Sequence, residues 1–548
     1  MNRRFPTYLI LAFLQVFAAF GGTLVSNPAN LSGRDYTNPI ICADYSDPDV
    51  TASPDGKVFY MTASSFHSAP GVPILKSTDL VNWEIVNYAL PLLPPKDFYN
   101  AEPRHGKGVW APCIRYHNGK YYIYWGDPDF GVFMIETENP EGKWSEPVLV
   151  KGGKGWIDPT PFWDEDGKAY LANGWAASRA GFNSIITLSE MSADGKSLIS
   201  DPVIVFDGND GVNHTIEGPK LYRKGDYYYI FSPAGGVVDG WQLVMRSKNI
   251  YGPYESKIVM AQGKTDINGP HQGAWVTTAD GEDWFVHFQD RGAYGRIIHL
   301  NPMEWKEGWP VIGNDKDGDG CGDPVRKWRK PSIAKTSAKI EGDINDNPSM
   351  LYQWHGNYNE MFGFPSNDAL MRIYGHKVSD GFVNLWEVPN LWLQKFPAEK
   401  FTFTSKVQIS AKANAEGVSS GLVVMGWDYA RLGLMKKGDN FVMTFTTCKD
   451  AEQGGAEETC EIAVIKPTRV YNAGLHPNME CDIWLRVSVT EGGKCTFSYS
   501  EDGKKFREAG SFTARAGKWI GAKMGFYSIT PAGVSDRGWI DVKESGIK

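Results

Sequence analysis

Short runs that alternate hydrophobic and polar residues recur along the first half of the chain, each after a tight glycine turn. Five such turns lead directly into an aromatic strand-like run, and they begin at Asp55, Asn118, Asp166, Lys224 and Asp280. An alternation of period two predicts strands, and a spacing of 48 to 63 residues matches one four-stranded blade per repeat. Ordinary sandwich hairpins use the same turn signature, but five regular recurrences favour a five-bladed β-propeller.

The propeller is predicted over residues 34–330 and is followed by a linker over residues 331–348. From residue 349 to residue 548 the blade-like period is lost, and a C-terminal β-sandwich is predicted instead. Its strand-like runs are Lys400–Ile409, Ser419–Met425, Phe441–Thr447, Ile483–Val489, Thr496–Ser500 and Trp519–Tyr527. The linker is neither long nor rich in Gly and Ser, so the sandwich is expected to dock against the propeller.

Composition agrees with an all-β protein of two domains. The chain has 548 residues, more than one hydrophobic core usually holds. Its 60 glycines and 13% aromatic residues suit many turns and strands. The net charge of -8 argues against nucleic acid as a partner, because proteins that bind it usually carry a basic face.

The N-terminus has the pattern of a secretory signal peptide, predicted over residues 1–22. Arg3 and Arg4 precede an apolar run from Leu9 to Phe20, and small residues follow it. No later run is long and apolar enough for a membrane span. We therefore expect an exported protein, periplasmic or secreted, that does not have the membrane as a partner.

Seven cysteines leave at least one thiol unpaired within the chain. Cys448 and Cys460 flank a polar turn between two strand-like runs, so a disulfide across a hairpin and two free thiols are both open. The segment Asp315–Asp323 resembles the front half of a calcium loop. Arg326 stands where that loop would close with Glu, which favours a solvated acidic turn.

Three acidic residues stand in short motifs directly before strand-like runs: Asp47, Asp158 and Glu217. By the count of repeats they belong to the first, third and fourth blades, whose inner strands surround one central shaft. An Asp-Pro pair alone is a common turn opener, but three acids in register with the blades predict acid/base chemistry on a glycosidic bond. Crowding of like charges raises the pKa of at least one of them, which keeps an acid protonated near neutral pH.

These motifs and several others resemble glycoside hydrolase family 43 over nearly the whole mature chain. The segments that carry the resemblance include Asp47-Pro48-Asp49, Ser64-Ser65-Phe66, Trp110-Ala111-Pro112, Ile157-Asp158-Pro159, Glu217-Gly218-Pro219, His271-Gln272-Gly273 and Tyr294-Gly295-Arg296. The resemblance implies a five-bladed β-propeller, a concanavalin-like β-sandwich and an inverting hydrolase. It also implies that Asp47 is the general base and Glu217 the general acid, while Asp158 raises the pKa of Glu217 and orients it.

The same resemblance implies four substrate-binding residues. Phe66 and Trp110 would line the pocket for the terminal sugar, and Arg296 would contact sugar hydroxyls or a catalytic carboxylate. His271 would lie in the central shaft and, as in some relatives, could ligate calcium; no cofactor is otherwise required. Core aromatics, a surface ion pair and a satisfied buried histidine are the alternative interpretations.

The favoured function is an inverting exo-glycosidase that removes terminal α-L-arabinofuranosyl residues from plant hemicellulose side chains or cell-wall oligosaccharides. A β-D-xylosidase, or a dual activity, is the alternative, because the two pentoses are close in shape and relatives cleave one or both. A glycan-binding propeller without activity would be expected to lack one of the acids, and all three are present. An endo-arabinanase is disfavoured because such relatives usually lack the second sandwich.

Overall fold

The computed structural model describes residues 22–335, 343–359 and 361–548. The predicted signal peptide lies outside the described residues except for Gly22, and so does the middle of the predicted linker. Strands account for most of the described chain, with only two short α-helices, α1 (Lys96–Tyr99) and α2 (Ala177–Ala180). Isolated turns of 3-10 helix occur at Pro28–Asn30, Gly208–Asp210, Gly292–Tyr294, Ser332–Lys335, Pro348–Leu351, Leu385–Glu387 and Ala451–Gln453. No helix among the described residues is long and apolar enough to cross a membrane.

Five small antiparallel sheets follow one another along the first part of the chain. Their strands, with the two that close the ring, are β1 (Thr23–Leu24), β2 (Asp35–Thr37), β3 (Asp49–Ala52), β4 (Phe59–Thr62), β5 (Gly71–Ser77), β6 (Glu84–Leu90), β7 (Trp110–His117), β8 (Lys120–Asp127), β9 (Gly131–Thr137), β10 (Val148–Gly152), β11 (Trp156–Trp163), β12 (Ala169–Trp175), β13 (Ile185–Met191), β14 (Val203–Asp207), β15 (Lys220–Lys224), β16 (Tyr227–Ala234), β17 (Trp241–Ser247), β18 (Glu255–Met260), β19 (His271–Thr277), β20 (Asp283–Asp290), β21 (Arg296–Lys306), β22 (Trp309–Ile312) and β23 (Lys327–Arg329). The blades are β1 with β3–β6, then β7–β10, β11–β14, β15–β18 and β19–β22. This confirms the predicted five-bladed propeller.

The inner strands β3, β7, β11, β15 and β19 surround a central shaft. Strand β3 contacts both β7 and β19, β7 contacts β11, and β11 contacts β15. The ring is also closed by the short pair β2 and β23, in which Tyr36 lies opposite Trp328. The phenol of Tyr36 donates a hydrogen bond to the Leu300 carbonyl at 2.8 Å. The N-terminal segment is therefore held against β21 of the fifth blade.

Two sheets, antiparallel except for the short parallel pair of β27 and β38, form the C-terminal sandwich. Their strands are β24 (Tyr352–Trp354), β25 (Gly363–Ser366), β26 (Ala369–Tyr374), β27 (His376–Lys377), β28 (Trp392–Lys395), β29 (Phe401–Lys412), β30 (Ser419–Met425), β31 (Tyr429–Lys437), β32 (Asn440–Cys448), β33 (Glu457–Ile465), β34 (Arg469–Ala473), β35 (His476–Thr490), β36 (Lys494–Ser500), β37 (Arg507–Thr513), β38 (Lys523–Thr530) and β39 (Trp539–Ile547). One sheet has the order β24-β28-β38-β30-β31-β32-β33, and the other has β25-β26-β39-β29-β35-β36-β37. Strands β27 and β34 attach to β38 and β35.

Alternation along β29 explains why these residues form a sandwich. Phe403, Val407 and Ile409 are buried, as is Ser405 on the same face, while Thr404, Lys406 and Gln408 between them are partly exposed. The three apolar side chains join a single hydrophobic core with Leu422 and Val424 of the facing sheet. Removing these apolar surfaces from water stabilises the folded state by roughly 25 cal/mol for each Å² buried.

The sandwich is docked on the propeller through backbone and side-chain hydrogen bonds. The Trp354 and Ala69 backbones exchange both of their amide–carbonyl bonds, at 2.6 and 3.2 Å. The buried Asn357 side chain accepts from the Leu93 amide at 2.7 Å and donates to the Leu93 carbonyl at 3.0 Å. The two domains therefore share a polar seam as well as apolar contacts.

Two details differ from the sequence-based expectations. The run Trp519–Tyr527 was expected to be one strand, but β38 begins only at Lys523. The preceding loop turns toward the propeller, where the Ala522 amide donates to the Ala293 carbonyl at 2.7 Å. This bond to another domain replaces the sheet bond that a longer strand would make.

The cysteines are all free, so the alternative of a Cys448–Cys460 disulfide is wrong. Both residues lie on the hairpin of β32 and β33, as their flanking of one turn indicated. The register, however, pairs Cys460 with Phe445 and Cys448 with Glu457. The two thiols are consequently three positions apart along the ladder, and Cys448 is buried while Cys460 is exposed.

Asn357→Ala should lower the free energy of unfolding by about 2–3 kcal/mol, because it leaves the Leu93 amide and carbonyl buried and unpaired. Urea-induced unfolding followed by circular dichroism measures this change. Asn367→Ala, at an exposed turn position, is the matched control and should stay within about 0.5 kcal/mol of the unchanged protein. Equal effects of the two substitutions would contradict a stabilising role of the seam.

Candidate active site

Each inner strand of the propeller carries one extra residue where it reaches the mouth of the shaft. In the third blade, Ile157 pairs with Gly174 and Thr160 pairs with Ala172. Three steps along β11 therefore face two steps along β12, which defines a β-bulge. Bulges interrupt the ladder and re-aim side chains, and they are frequent beside active sites.

The same offset recurs in the other four blades. In the second and fifth blades it appears as register shifts between Trp110 and Cys113 and between His271 and Gly273. In the first blade Ser46 accepts from the Ser64 amide before Asp49 pairs with Thr62. In the fourth blade the Glu217 amide donates to Pro233 before Lys220 pairs with Phe231.

The residue at each bulge has a left-handed backbone. The five residues and their φ values are Asp47 at 56°, Ala111 at 41°, Asp158 at 54°, Gly218 at 58° and Gln272 at 23°. For a residue other than glycine this conformation costs about 1–2 kcal/mol. In four blades the next residue is proline, which has no amide hydrogen to leave unpaired where the ladder is broken. The X-Pro motifs of the sequence thus mark the bulges.

Asp47 lies at the first-blade bulge with both carboxylate oxygens hydrogen-bonded. Ser64 Oγ donates to Oδ2 at 2.5 Å, and Arg296 Nη1 donates to Oδ1 at 3.3 Å. Ser64 in turn accepts from the Ala111 amide at 2.7 Å, so the second blade helps to orient the first-blade carboxylate. The structure thus brings Arg296 to a carboxylate, one of the two contacts expected of it.

Asp158 and Glu217 lie on adjacent blades and are joined through the backbone. The Gly218 amide donates to Asp158 Oδ2 at 2.8 Å, which holds the Asp158 side chain beside Glu217. Asp158 is buried, whereas about a third of the Glu217 side chain (34%) is exposed to the shaft mouth. A molecule entering the mouth can therefore reach the Glu217 carboxyl.

Electrostatics separates the behaviour of these two carboxyls. Burial, followed by the charge of Asp47, raises the pKa of Asp158 to about 6. Desolvation in the site, followed by the charges of Asp158 and Asp47, raises the pKa of Glu217 to about 8, although Arg296 opposes the shift. At neutral pH the arrangement therefore favours a protonated Glu217 beside an ionised Asp158.

His271 occupies the equivalent mouth position of the fifth blade. Its Nε2 lies 3.6 Å from Glu217 Oε1, and its ring is 5.3 Å from that of Phe288. Burial, with the nearby charges of Arg296 and His287, lowers the pKa of His271 to about 3. The imidazole is thus neutral at physiological pH and forms no ion pair with Glu217.

The surroundings of His271 meet only part of what a calcium site needs. Neither ring nitrogen has a hydrogen-bond partner in the described chain, so a ligand could be accepted there. Calcium, however, prefers six to eight oxygen ligands, and among the described residues His271 joins no convergent group of three His, Cys, Asp or Glu side chains. The calcium assignment stays a prediction.

An aromatic wall lines one side of the mouth. Trp110 is partly exposed, whereas Phe66 is only 2% exposed, as the alternative of a core aromatic expects, and supports Trp110 from behind. The two rings meet edge to face, with centroids 6.1 Å apart. Trp519, which comes from the sandwich loop and is 49% exposed, packs edge-on against Trp110 at 5.9 Å. The wall is therefore built by both domains.

A buried carboxylate anchors this sandwich loop to the catalytic side. Asp44 Oδ2 accepts from the Gly521 amide at 3.0 Å, and its Oδ1 accepts from the Arg296 amide at 2.8 Å. The loop that carries Trp519 is thus linked, through Asp44 and Arg296, to Asp47.

Sequence reasoning missed three residues of the site: Asp44, Ser64 and Trp519. Ser64 was part of a recognised motif, but nothing in its residue type revealed a bond to Asp47. Asp44 lies three positions before Asp47 in the sequence. This spacing alone is a weak signal of a role in the site. Trp519 had no signal, because its role depends on how the two domains dock.

Two other features of the structure lie apart from the carboxylates. A cavity of about 510 Å³ in the sandwich contains none of the predicted site residues; it is lined by Asn359, Met361, Phe362, His376, Asn390 and Arg537. The acidic turn gathers Asp315, Asp317 and Asp319 with carboxylate oxygens within 4.8 Å of one another. Lys306 Nζ lies 3.5 Å from Asp315 Oδ2, so part of this charge is already compensated.

Comparison with known proteins gives a consistent result over both domains. The family model described as glycosyl hydrolases family 43 matches residues 36–310, and that described as beta xylosidase C-terminal concanavalin A-like domain matches residues 345–545. A protein of Xylanibacter ruminicola named putative beta-xylosidase is 35% identical over 500 residues, which cover 89% of this chain and 85% of the relative.

Two further matches concern the sugar and the fold. A Bacteroides ovatus protein named non-reducing end alpha-L-arabinofuranosidase is 32% identical over 304 residues, or 52% of this chain and 55% of the relative. The crystal structure of a GH43 protein from Bacillus licheniformis superimposes with a TM-score of 0.76 at 22% identity, covering 94% of this chain and 99% of that one. The latter supports the two-domain fold.

Gly218→Ala should destabilise the protein by about 2–4 kcal/mol, the sum of a left-handed backbone and an overpacked contact. A Cβ there would lie 2.7 Å from the Gln272 side chain. Gly225 has the same φ of 58° in the same blade, but a Cβ there meets nothing within 4 Å. Gly225→Ala is therefore the matched control and should cost only the backbone term of about 1–2 kcal/mol. Denaturant unfolding of both variants measures the difference, and equal losses would show that the bulge tolerates the added contact.

Proposed function

Because the chain belongs to glycosyl hydrolases family 43, we propose that it is an exo-acting, inverting pentosidase that releases terminal β-D-xylose from xylan-derived oligosaccharides. The glycosidase class rests on the family membership itself. The choice of xylose is supported by the Xylanibacter ruminicola relative, which is similar over both domains and is named putative beta-xylosidase. The observation that carries the chemistry is the meeting of Asp47, Asp158 and Glu217 at one shaft mouth.

In this proposal Asp47 is the general base. Hydrogen bonds from Ser64 and Arg296 hold both of its oxygens in a fixed direction. A water molecule between Asp47 and the anomeric carbon would lose a proton to Asp47 while its oxygen attacks that carbon. Attack from the face opposite the leaving group inverts the anomeric configuration.

Glu217 is the proposed general acid. Its raised pKa of about 8 keeps the carboxyl protonated at neutral pH, so it can give a proton to the glycosidic oxygen as the bond breaks. Asp158 would act as a positioning and tuning residue, because its charge favours the protonated form of Glu217 and the Gly218 amide fixes its distance. The neutral imidazole of His271, 3.6 Å from Glu217, leaves this proton in place.

The exo mode is supported by the aromatic wall. Trp519 of the sandwich and Trp110 and Phe66 of the propeller close one side of the mouth. A pocket closed in this way has room for a chain end, and aromatic faces suit the apolar faces of a sugar ring. Cleavage would then release one sugar at a time from the non-reducing end.

Terminal α-L-arabinofuranose, which the sequence alone favoured, is the second candidate. It is supported by the Bacteroides ovatus relative named non-reducing end alpha-L-arabinofuranosidase. That similarity covers about half of this chain, whereas the similarity to the putative beta-xylosidase extends through the sandwich that supplies Trp519. For this reason xylose is placed first.

We further propose that the protein is exported and that its partner is a plant cell-wall oligosaccharide. The N-terminal sequence pattern supports export. No step of the proposed mechanism uses a cofactor, and a calcium ion at His271 would be structural.

The proposed function predicts release of nitrophenol from aryl β-D-xyloside by the mature protein, at a higher kcat/KM than from aryl α-L-arabinofuranoside. Asp47→Ala should lower kcat/KM for both substrates by about 10²–10⁴-fold, because the attacking water loses its base. Asp55→Ala, in an exposed turn of the same blade, is the control and should leave the rates unchanged. A faster arabinofuranoside reaction would favour the second candidate, and rates that do not depend on Asp47 would refute the base assignment.

The pH profile of kcat/KM tests the link between Asp158 and Glu217. The acid must be protonated, so activity should be present below the raised pKa of Glu217 and should fall as pH rises through about 8. Asp158→Asn removes a negative charge that raises this pKa, and the basic limb should move to lower pH. Asp166→Asn, at an exposed turn of the same blade, should leave the limb where it is. If the basic limb of the profile does not move with Asp158→Asn, the limb reports the ionisation of a group other than Glu217.

A further inference from the structure

Three histidine rings meet at the seam between the propeller and the sandwich, behind the aromatic wall. His67 lies between β4 and β5, His105 precedes β7, and His355 follows β24 of the sandwich. Their ring centroids are 4.9 Å apart for His67 and His105, 4.9 Å for His67 and His355, and 4.5 Å for His105 and His355. Segments far apart in the chain thus bring three imidazoles into one cluster.

The nitrogens of this cluster converge and are incompletely paired. One ring nitrogen from each histidine lies within 4.8 Å of those of the other two. Nε2 of His67 and Nε2 of His355 are buried without a hydrogen-bond partner in the described chain. A buried polar atom without a partner costs about 1–3 kcal/mol, so two of them side by side point to a missing ligand.

His105 has the orientation of a metal ligand. Its Nε2 lies 2.9 Å from the Trp386 carbonyl, and its ring stacks on the Trp386 indole at 3.7 Å. Since a carbonyl only accepts, Nε2 carries the ring proton and Nδ1 keeps its lone pair. A ligating histidine usually donates its other N–H to a carbonyl or carboxylate in this way.

We propose that His67, His105 and His355 form a binding site for one Zn²⁺ ion that clamps the sandwich to the propeller. Three imidazole nitrogens suit a borderline divalent transition metal, whereas Ca²⁺ and Mg²⁺ prefer oxygen. The hydrogen bond from His105 Nε2–H to the Trp386 carbonyl leaves the lone pair of Nδ1 available to an ion. The fourth position of a tetrahedral ion would be taken by a water molecule.

Binding requires small adjustments. Zn–N bonds of about 2.0–2.1 Å demand a closer approach of the rings than the free cluster has. The Gly106 amide donates to His67 Nδ1 at 3.3 Å, which places the proton of neutral His67 on Nε2. Ligation through Nε2 moves that proton to Nδ1, where it would face the Gly106 N–H, so the His67 ring and the Gly106 amide must turn away from each other. Lys523 lies nearby, and its Nζ donates to Ser68 Oγ at 2.7 Å, so this ammonium has a partner of its own beside the cluster.

The site would also stiffen the aromatic wall. Phe66 directly precedes His67, and Gly106 directly follows His105. The Gly106 carbonyl accepts from Trp110 Nε1 at 2.9 Å, and a Cβ on Gly106 would lie 3.0 Å from Trp519. An ion held by the three histidines therefore fixes the segments that carry Phe66, Trp110 and the contact to Trp519.

The test is a titration of the full mature chain, free of any affinity tag and dialysed against a chelator, with ZnCl₂ by isothermal calorimetry. We expect one Zn²⁺ per chain with submicromolar affinity and a rise in Tm on binding. His105→Gln should weaken binding by at least about tenfold, because one of three protein ligands is lost. His105 is half-buried, so this variant is the least disruptive of the three, and circular dichroism in the absence of metal checks its fold.

Two histidine controls locate the ion. His476→Gln, at an exposed position of β35, and His271→Gln, in the shaft, should both leave Zn²⁺ affinity unchanged. Should His105→Gln misfold, Co²⁺ bound to the unchanged protein provides a second measurement, since a tetrahedral nitrogen site gives an intense visible spectrum. Absence of stoichiometric binding, binding that is insensitive to His105→Gln, or binding that is lost with His271→Gln would each overturn the proposal.

Discussion

The extra residue at the mouth of each inner strand is the constraint on which the site depends. A regular strand alternates its side chains between two faces, so it would turn successive residues away from the shaft. The bulge, with its left-handed residue, interrupts that alternation at the same height in all five blades. Five blades therefore deliver residues such as Asp47, Asp158 and Glu217 to one small volume, and the proline after four of the bulges removes an amide that would have no partner.

Placing three carboxyl groups close together raises the free energy of their ionised forms. Because the three groups have different hydrogen-bond partners, this cost differs from one carboxyl to the next. Asp47 receives two side-chain donors, Asp158 receives a backbone amide, and Glu217 receives neither but is approached by neutral His271. The group without donors is the one whose protonated form is favoured. The differing states of the three acids thus follow from which groups the bulges place beside them.

Much of this architecture could be predicted from the sequence, because it depends on local patterns. The turn-and-strand repeat predicted five blades, and the X-Pro motifs predicted three acids on the first, third and fourth blades. What depends on docking or register could not be predicted. The extent of β38, the offset of Cys448 from Cys460 and the approach of Trp519 to Trp110 are set by contacts between segments distant in the chain. In the proposed function the choice of sugar belongs to the same class, since both domains contribute to the wall beside the mouth.

The division of the site between two domains has a consequence for how such a protein can diversify. The acids lie at or beside bulges of the inner strands, where a left-handed backbone residue and the neighbouring hydrogen bonds restrict which side chains fit. The Trp519 side chain is exposed, but Ile520, Gly521 and Ala522 beside it are buried, and the amides of Gly521 and Ala522 donate hydrogen bonds to the propeller. A substitution of the Trp519 side chain can reshape the entrance, whereas a change at Gly521 would disturb Asp44 and, through Arg296, Asp47. Position 519 is therefore the place in this loop to start when redesigning substrate preference.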